Sequence, residues 1–247
     1  MRKIVISLAK GGVGKTTSAV NLSAYLAQAG RRVLLIDVDS QAQCVTALGV
    51  APDHNLIPLL DNEISPQDAP IQARDNLYLL SGGPDISGLQ RAISRAEIGG
   101  ERILAKALTV YDEAYDVAII DTAPGWDSVS INALFYANEI IAPVAVEALA
   151  LQGLVMFIQR IEAVQSYNPS LTLRYVLPTF LDGRVKKSNE ILHQLSKYFG
   201  EAMCNPIRYN VRLSEAPGVG KTIFEYAPNS PGAADYSMLG ERILSDD

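Results

Sequence analysis

The sequence predicts a doubly wound α/β fold, with a mostly parallel sheet and helices on both faces. Three observations carry this. Short apolar runs alternate with longer stretches of helical periodicity along the 247 residues. The short runs are apolar throughout rather than alternating, the pattern of strands buried on both faces. The first run opens into a glycine-rich loop followed at once by a helix, the unit that cradles phosphate.

The first strand is expected over residues 3–8. Lys10-Gly11-Gly12-Val13-Gly14-Lys15-Thr16-Thr17 follows, and a helix over 17–29. Glycines let backbone N–H groups turn inward around an anion, and the helix N-terminus adds partial positive charge there. Lys15 is placed to reach the β- and γ-phosphates, and Thr16 to offer its hydroxyl to Mg²⁺. Gly11, Gly12, Val13, Gly14 and Thr17 complete the phosphate-binding set.

The second strand, 32–37, ends in Asp37-Val38-Asp39, with a helix near 41–48. Capping that helix is the competing role for both acids. Residues 52–70 are the most loop-like stretch. A strand at 77–80 and a helix at 88–111 lead to the strand 117–121. There Asp121 follows four apolar residues, a placement that lets a carboxylate hold Mg²⁺ directly or through its waters. A helix at 128–137, a strand at 140–146, a helix at 151–166 and a strand at 173–179 follow. Helices at 187–199 and 233–244 flank a short run at 203–207 that is a candidate seventh strand. No repeat or long polar linker interrupts residues 1–247, which read as one domain. Ligands in such folds sit beyond the carboxyl ends of the strands, so the phosphate loop with Thr16, the pair Asp37 and Asp39, and Asp121 should converge there on one nucleotide.

Apolar residues make up 48% of the chain, ample for a buried core. Met1-Arg2-Lys3 runs straight into a strand, so no signal peptide is read, and no run has the ~18 apolar residues of a membrane span. Cys44 and Cys204 share no metal spacing and read as reduced thiols of a cytoplasmic protein. His54 and His193 stand alone. The net charge is −6, yet residues 174–221 hold eight bases and four acids, which leaves −10 elsewhere. Arg184, Lys186, Lys187, Arg212 and Lys221 are candidates for a patch that binds a polyanion; ordinary charged loops are the alternative.

The loop departs from the general G-x-x-x-x-G-K-[ST] pattern, with Ala9 at the first glycine position and a second lysine at Lys10. K-G-G-V-G-K-T resembles the deviant Walker A loop of the ParA/MinD ATPases, a branch of the P-loop NTPases. Asp182-Gly183-Arg184, Asn210 to Pro217 and Gly220-Lys221-Thr222-Ile223 resemble the ParA/Soj-type partition members, and the likeness runs the length of the chain. It implies ATP and ADP with Mg²⁺ as ligands. It implies a homodimer that sandwiches ATP, in which Lys10 crosses to the partner's nucleotide as an arginine finger does. Lys10, Lys15 and Asp39 would be the catalytic residues, and Thr16, Asp37, Asp39 and Asp121 the metal set, with Asp39 orienting the attacking water and sensing Mg-ATP and Asp37 supporting the metal shell. Asn210 would contact the base, and Gly125, in the switch segment Thr122-Ala123-Pro124-Gly125, could offer its N–H to phosphate.

Arg184 and Arg212 would belong to a nonspecific DNA surface, placing the protein on the nucleoid. ATP hydrolysis would be slow and stimulated by a ParB-like protein or a cargo adaptor. Cargo could be a plasmid, a chromosome or a protein body such as a carboxysome. The departures are Ser40 for a proline, Ala123 in the switch turn, Gln152 for a glutamate, and Arg208 for a proline that frames adenine. A MinD-like membrane role is the alternative. It needs a basic amphipathic C-terminal helix, and this chain ends Glu241 to Asp247 with an acidic balance. No membrane partner is therefore expected. A cluster-assembly member would need paired cysteines near the switches, which Cys44 and Cys204 do not supply.

Overall fold

The computed structural model describes residues 1–147 and 149–246; Ala148 and Asp247 lie outside the described residues, so the acidic ending is described only to Asp246. The elements run β1 (Arg2–Ile6), α1 (Lys15–Gln28), β2 (Val33–Asp37), α2 (Gln43–Leu48), α3 (Leu56–Leu60), β3 (Ile71–Arg74) and β4 (Leu77–Ser81). Then come α4 (Ser87–Arg95), α5 (Ile103–Leu108), β5 (Val117–Asp121), α6 (Ser128–Tyr136), β6 (Glu139–Ala145), α7 (Ala150–Gln165) and β7 (Thr172–Thr179). The chain continues with α8 (Lys186–Phe199), α9 (Val211–Glu215), α10 (Ile223–Tyr226) and α11 (Pro231–Ser245).

The sheet has seven strands in the order β3-β4-β2-β5-β1-β6-β7, parallel except for the β3–β4 hairpin at one edge. Strands β2 and β5 are buried along their whole length, as uninterrupted apolar runs require when helices cover both faces. Side chains alternate between two cores. One gathers Val5, Leu34, Ile36, Ala118 and Ile120 with α6 and α7; the other gathers Ile4, Ile6, Leu35 and Ile119 with α1 and α11.

Three expectations are corrected. The helix expected over 88–111 breaks between α4 and α5, where Gly99 takes φ 77° and Gly100 packs on the Ile93 carbonyl. The run 203–207 lies along β7, joined by the Cys204 and Ile207 N–H groups, but it forms only isolated bridges. Pro206 has no N–H to extend a ladder. The seventh strand is instead β3, whose half-polar Ile-Gln-Ala-Arg run carries little strand pattern. Within 52–70, Leu56 and Leu59 anchor α3 in the core.

Two backbone features frame the upper end of the sheet. Gly49 and Gly220 cross so closely that a Cβ on Gly220 would lie 2.6 Å from the Gly49 Cα, and both have positive φ. Gly14 caps α1 in the left-handed conformation, φ 85°, which turns the loop back over the helix start.

Candidate nucleotide and metal site

The loop between β1 and α1 is fixed from its flanks. Thr179 at the end of β7 donates its hydroxyl to the Val13 carbonyl at 2.9 Å, and the Gly125 N–H reaches the Ala9 carbonyl at 2.9 Å. That second bond corrects one expectation: the Gly125 N–H is already committed to the loop itself. Lys15 is 6% exposed, and its ammonium curls back to the carbonyls of Lys10 at 3.0 Å and Leu8 at 3.3 Å. Burial lowers its pKa, an effect that the charges of Asp121 and Asp39 oppose.

The acids come together because β2 and β5 are neighbours in register, with Asp37 beside Asp121. Both are fully buried. Asp37 accepts the Asp39 N–H at 2.9 Å on one oxygen and the Cys44 N–H at 3.0 Å on the other, so it builds the turn into α2. Asp39 accepts the Gln41 N–H at 3.0 Å on Oδ1. The Thr16 hydroxyl donates to Asp121 Oδ2 at 2.6 Å, while Asp121 Oδ1 is buried with no hydrogen-bond partner among the described residues. An orphaned carboxylate oxygen beside a threonine hydroxyl fits a hard divalent cation.

Burial and the neighbouring Asp37 charge push the Asp121 carboxyl up to about 8; burial raises Asp37 to about 6, and the two titrate as a unit. A carboxyl with a raised folded-state pKa stabilises the fold below its unfolded value, near 4, and loses that contribution as pH climbs to the folded value. The metal-free protein is therefore expected to melt lower at pH 8 than at pH 5, by several degrees if the pair costs on the order of 1–2 kcal/mol. Asp121→Asn should flatten that dependence. Equal slopes for the two proteins in chelator would reject it.

A cleft of about 540 Å³ lies over the loop, lined by Gly12, Gly14, Lys15, Thr16, Thr17, Asp39 and the switch residues Thr122 and Pro124. A smaller cavity of about 210 Å³ shares Gly14, Thr17 and Phe180 with it and adds Asn210 and Arg208. Asn210 caps α9 with its oxygen on the Arg212 N–H at 2.9 Å, which leaves its buried Nδ2 as an unused donor. Arg208 is clamped by Asp235, with contacts of 2.6 and 3.0 Å. Lys10 and Gly11 stand exposed on the rim. The Lys10 ammonium lies outside the cleft and pairs with Glu147.

The basic candidates are only partly gathered. Leu181 and Arg208 form a bridge, so the segments that lead to Arg184 and Arg212 start side by side. Arg184 pairs with Asp182 at 2.8 Å and Arg212 with Glu215 at 2.9 Å. Lys186 and Lys187 open α8, whereas Lys221 lines a separate cavity near Thr16 and Gln43.

Sequence reasoning missed Cys44, which is buried between the two acids, and Phe180, which has φ 56° and forms the wall shared by both cavities. Neither carries a motif. A bulky residue at positive φ is visible only in the folded backbone.

Comparison with known proteins bears on this geometry. A family profile described as an AAA domain matches residues 1–173. The chromosome-partitioning ATPase Soj of Thermus thermophilus is 38% identical over 247 residues, covering 99% of this chain and 96% of that protein. The chain belongs to the ParA/Soj family of partition ATPases. Another Soj, the sporulation initiation inhibitor protein of Bacillus subtilis, is 35% identical over 98% of both chains. The ParA/Soj fold extends further. A cobyrinic acid a,c-diamide synthase from Mycobacterium smegmatis, solved with ADP and magnesium, superposes with a TM-score of 0.84 at 29% identity, covering 98% of this chain and 94% of that one. As a member of a family whose Thermus relative is named an ATPase, this chain is an NTPase, and no helix among its described residues is long and apolar enough to cross a membrane.

Proposed function

We propose that this chain is a dimerisation switch driven by Mg-ATP that holds DNA without sequence preference while ATP is bound. The observation that supports it most is the division of labour between two lysines. Lys15 is buried against its own loop, where a phosphate chain would draw its ammonium off the Leu8 and Lys10 carbonyls. Lys10 points out of the cleft and pairs there with Glu147, so it could serve a second subunit once that pair exchanges. Exposed pairs of this kind contribute little, about 0–1 kcal/mol, and exchange readily.

Within the site, Thr16 and Asp121 would hold Mg²⁺, which supplies charge neutralisation on the phosphates. Asp37 holds the turn that aims Asp39 into the cleft. Asp39 has one oxygen fixed by Gln41, which leaves the other to orient water. Asn210 Nδ2 would donate to an acceptor on the base. The DNA surface draws support from α8. Lys186 and Lys187 occupy its first turn, where the helix dipole disfavours cations and favours anions. Phosphate would be welcomed by both the free N–H groups and the lysines. Hydrolysis would be slow alone and accelerated by a small activating protein, so that the dimer lasts long enough to act.

Sedimentation with ATP, ADP and no nucleotide tests the switch. Wild type should dimerise with ATP alone. Lys10→Ala should bind ATP with near-normal affinity yet stay monomeric, with turnover reduced by about 10³-fold, the range seen when an in-trans cation is lost. A Lys10→Ala protein that dimerises and turns over normally would reject the role across the interface.

A further inference from the structure

We propose that Asp37, Cys44 and Asp121 form a binding site for a thiophilic divalent cation of the Zn²⁺ or Cd²⁺ type. It stands on the geometry of the three side chains and does not depend on nucleotide hydrolysis.

One ligand atom from each residue lies within 4.8 Å of the other two, and all three residues are fully buried. The cluster is assembled by the fold. Asp37 and Asp121 face each other across the β2–β5 ladder, and the first turn of α2 lays Cys44 over the pair. The Cys44 thiol meets Asp121 Oδ2 at 3.6 Å. A tetrahedral zinc with Zn–S near 2.3 Å and Zn–O near 2.1 Å holds its sulfur and oxygen ligands about 3.6 Å apart. The pair is therefore already spaced as two ligands on one ion.

A second observation points the same way. Asp121 Oδ1 is buried with no hydrogen-bond partner among the described residues, although the Asp37 carboxylate and the Lys15 ammonium both lie close enough for their charges to act on this carboxyl group. The Thr16 hydroxyl, 2.6 Å from Asp121 Oδ2, sits between this cluster and the open cleft. It marks both the entry side and a fourth ligand position that it or a water could fill. Magnesium prefers oxygen ligands and gains little from sulfur, whereas zinc and cadmium take thiolate readily. Cys44 therefore shifts the preference of a carboxylate pair that would otherwise suit only hard ions. On binding, the thiol proton leaves to solvent, a metal–sulfur bond forms, and no electrons are transferred.

The test uses the full chain in a Cys204→Ala background, which leaves Cys44 as its only thiol, freed of metal with chelator. Cd²⁺ is titrated while the ultraviolet thiolate-to-cadmium charge-transfer band is followed, and Zn²⁺ is titrated by calorimetry. One equivalent of Cd²⁺ should raise the band, with proton release, and excess Mg²⁺ should not reverse it. Cys44→Ala should lose the band and weaken Zn²⁺ binding by about tenfold or more, and Asp121→Asn should weaken it comparably. Circular dichroism checks that each variant folds. Absence of the band at saturating Cd²⁺ overturns the proposal without recourse to any Cys44 variant. Unchanged Zn²⁺ affinity in folded Cys44→Ala also overturns it.

Discussion

Lys15→Ala is expected to lose nucleotide binding in calorimetry, with affinity lower by about 10²-fold or more. A buried ammonium serving phosphate oxygens makes charge-assisted hydrogen bonds worth about 1.5–3 kcal/mol each, and two of them amount to roughly two to four decades of affinity. In this structure the same ammonium is hydrogen-bonded to two main-chain carbonyls. Its removal leaves both carbonyls without that donor, the Leu8 one in a buried setting, so some loss of stability accompanies the loss of binding. It also removes a positive charge close to Asp121 and Asp39, so the melting temperature is compared at one fixed pH. Hydrolysis should be absent. A variant that keeps near wild-type ATP affinity would exclude the loop as the phosphate site.

The double reversal Arg184→Glu with Arg212→Glu is expected to abolish DNA binding in a shift assay while sparing ATP-dependent dimerisation. Both arginines are exposed, and both are engaged with a neighbouring acid, Asp182 and Glu215. Each must trade a carboxylate for a phosphate, so one subunit gains little and loses it quickly with salt. Two subunits held together by ATP present twice the contacts, and affinity rises steeply because the second set engages intramolecularly. Reversal turns two attractive charges per subunit into repulsive ones and sets them beside acids already there. Wild-type binding should weaken sharply from low to moderate salt and be indifferent to base sequence. If the double variant shifts DNA normally, or wild type binds equally with ADP, the mechanism fails.

The parts of this molecule that could be read directly are those in which a local pattern has one physical meaning. Uninterrupted apolar runs such as Val33–Asp37 and Val117–Asp121 must be central strands, and both are. Gly12 and Gly14 occupy positive-φ turns that the phosphate loop requires. The helix over 88–111 misled because its apolar spacing continues across Gly99-Gly100, and spacing alone does not show where a chain turns. The run at 203–207 misled because its side chains suit a strand while Pro206 denies it the ladder. In the site, Lys15, Thr16 and Asp121 follow from position within a motif. Asp37 was read as metal support; that each of its oxygens also holds a main-chain N–H group is set by the turn into α2 and shows in no spacing. Cys44 was read from its distance to Cys204, when its real neighbours come from two strands and a helix turn. The partners of Lys10, Arg184 and Arg212 are rim contacts that no periodicity encodes.

The sheet order carries a consequence for how the chain is made. β1 lies between β5 and β6, so Ile4, Val5 and Ile6 find their first ladder partners in Val117–Asp121 and their second in Glu139–Ala145. Synthesis proceeds from the other direction. While the first hundred residues emerge, the strand destined for the middle of the sheet has two open edges and an apolar run with nothing to cover it. β2 can pair with β4 in that interval, but the sheet cannot close around its centre until β5 has been delivered. Such long-range pairing is slow, and an exposed central strand is the part of a nascent chain most prone to join the wrong neighbour. The loop that will hold phosphate hangs from that strand, so the site takes shape only after the middle of the chain has left the ribosome.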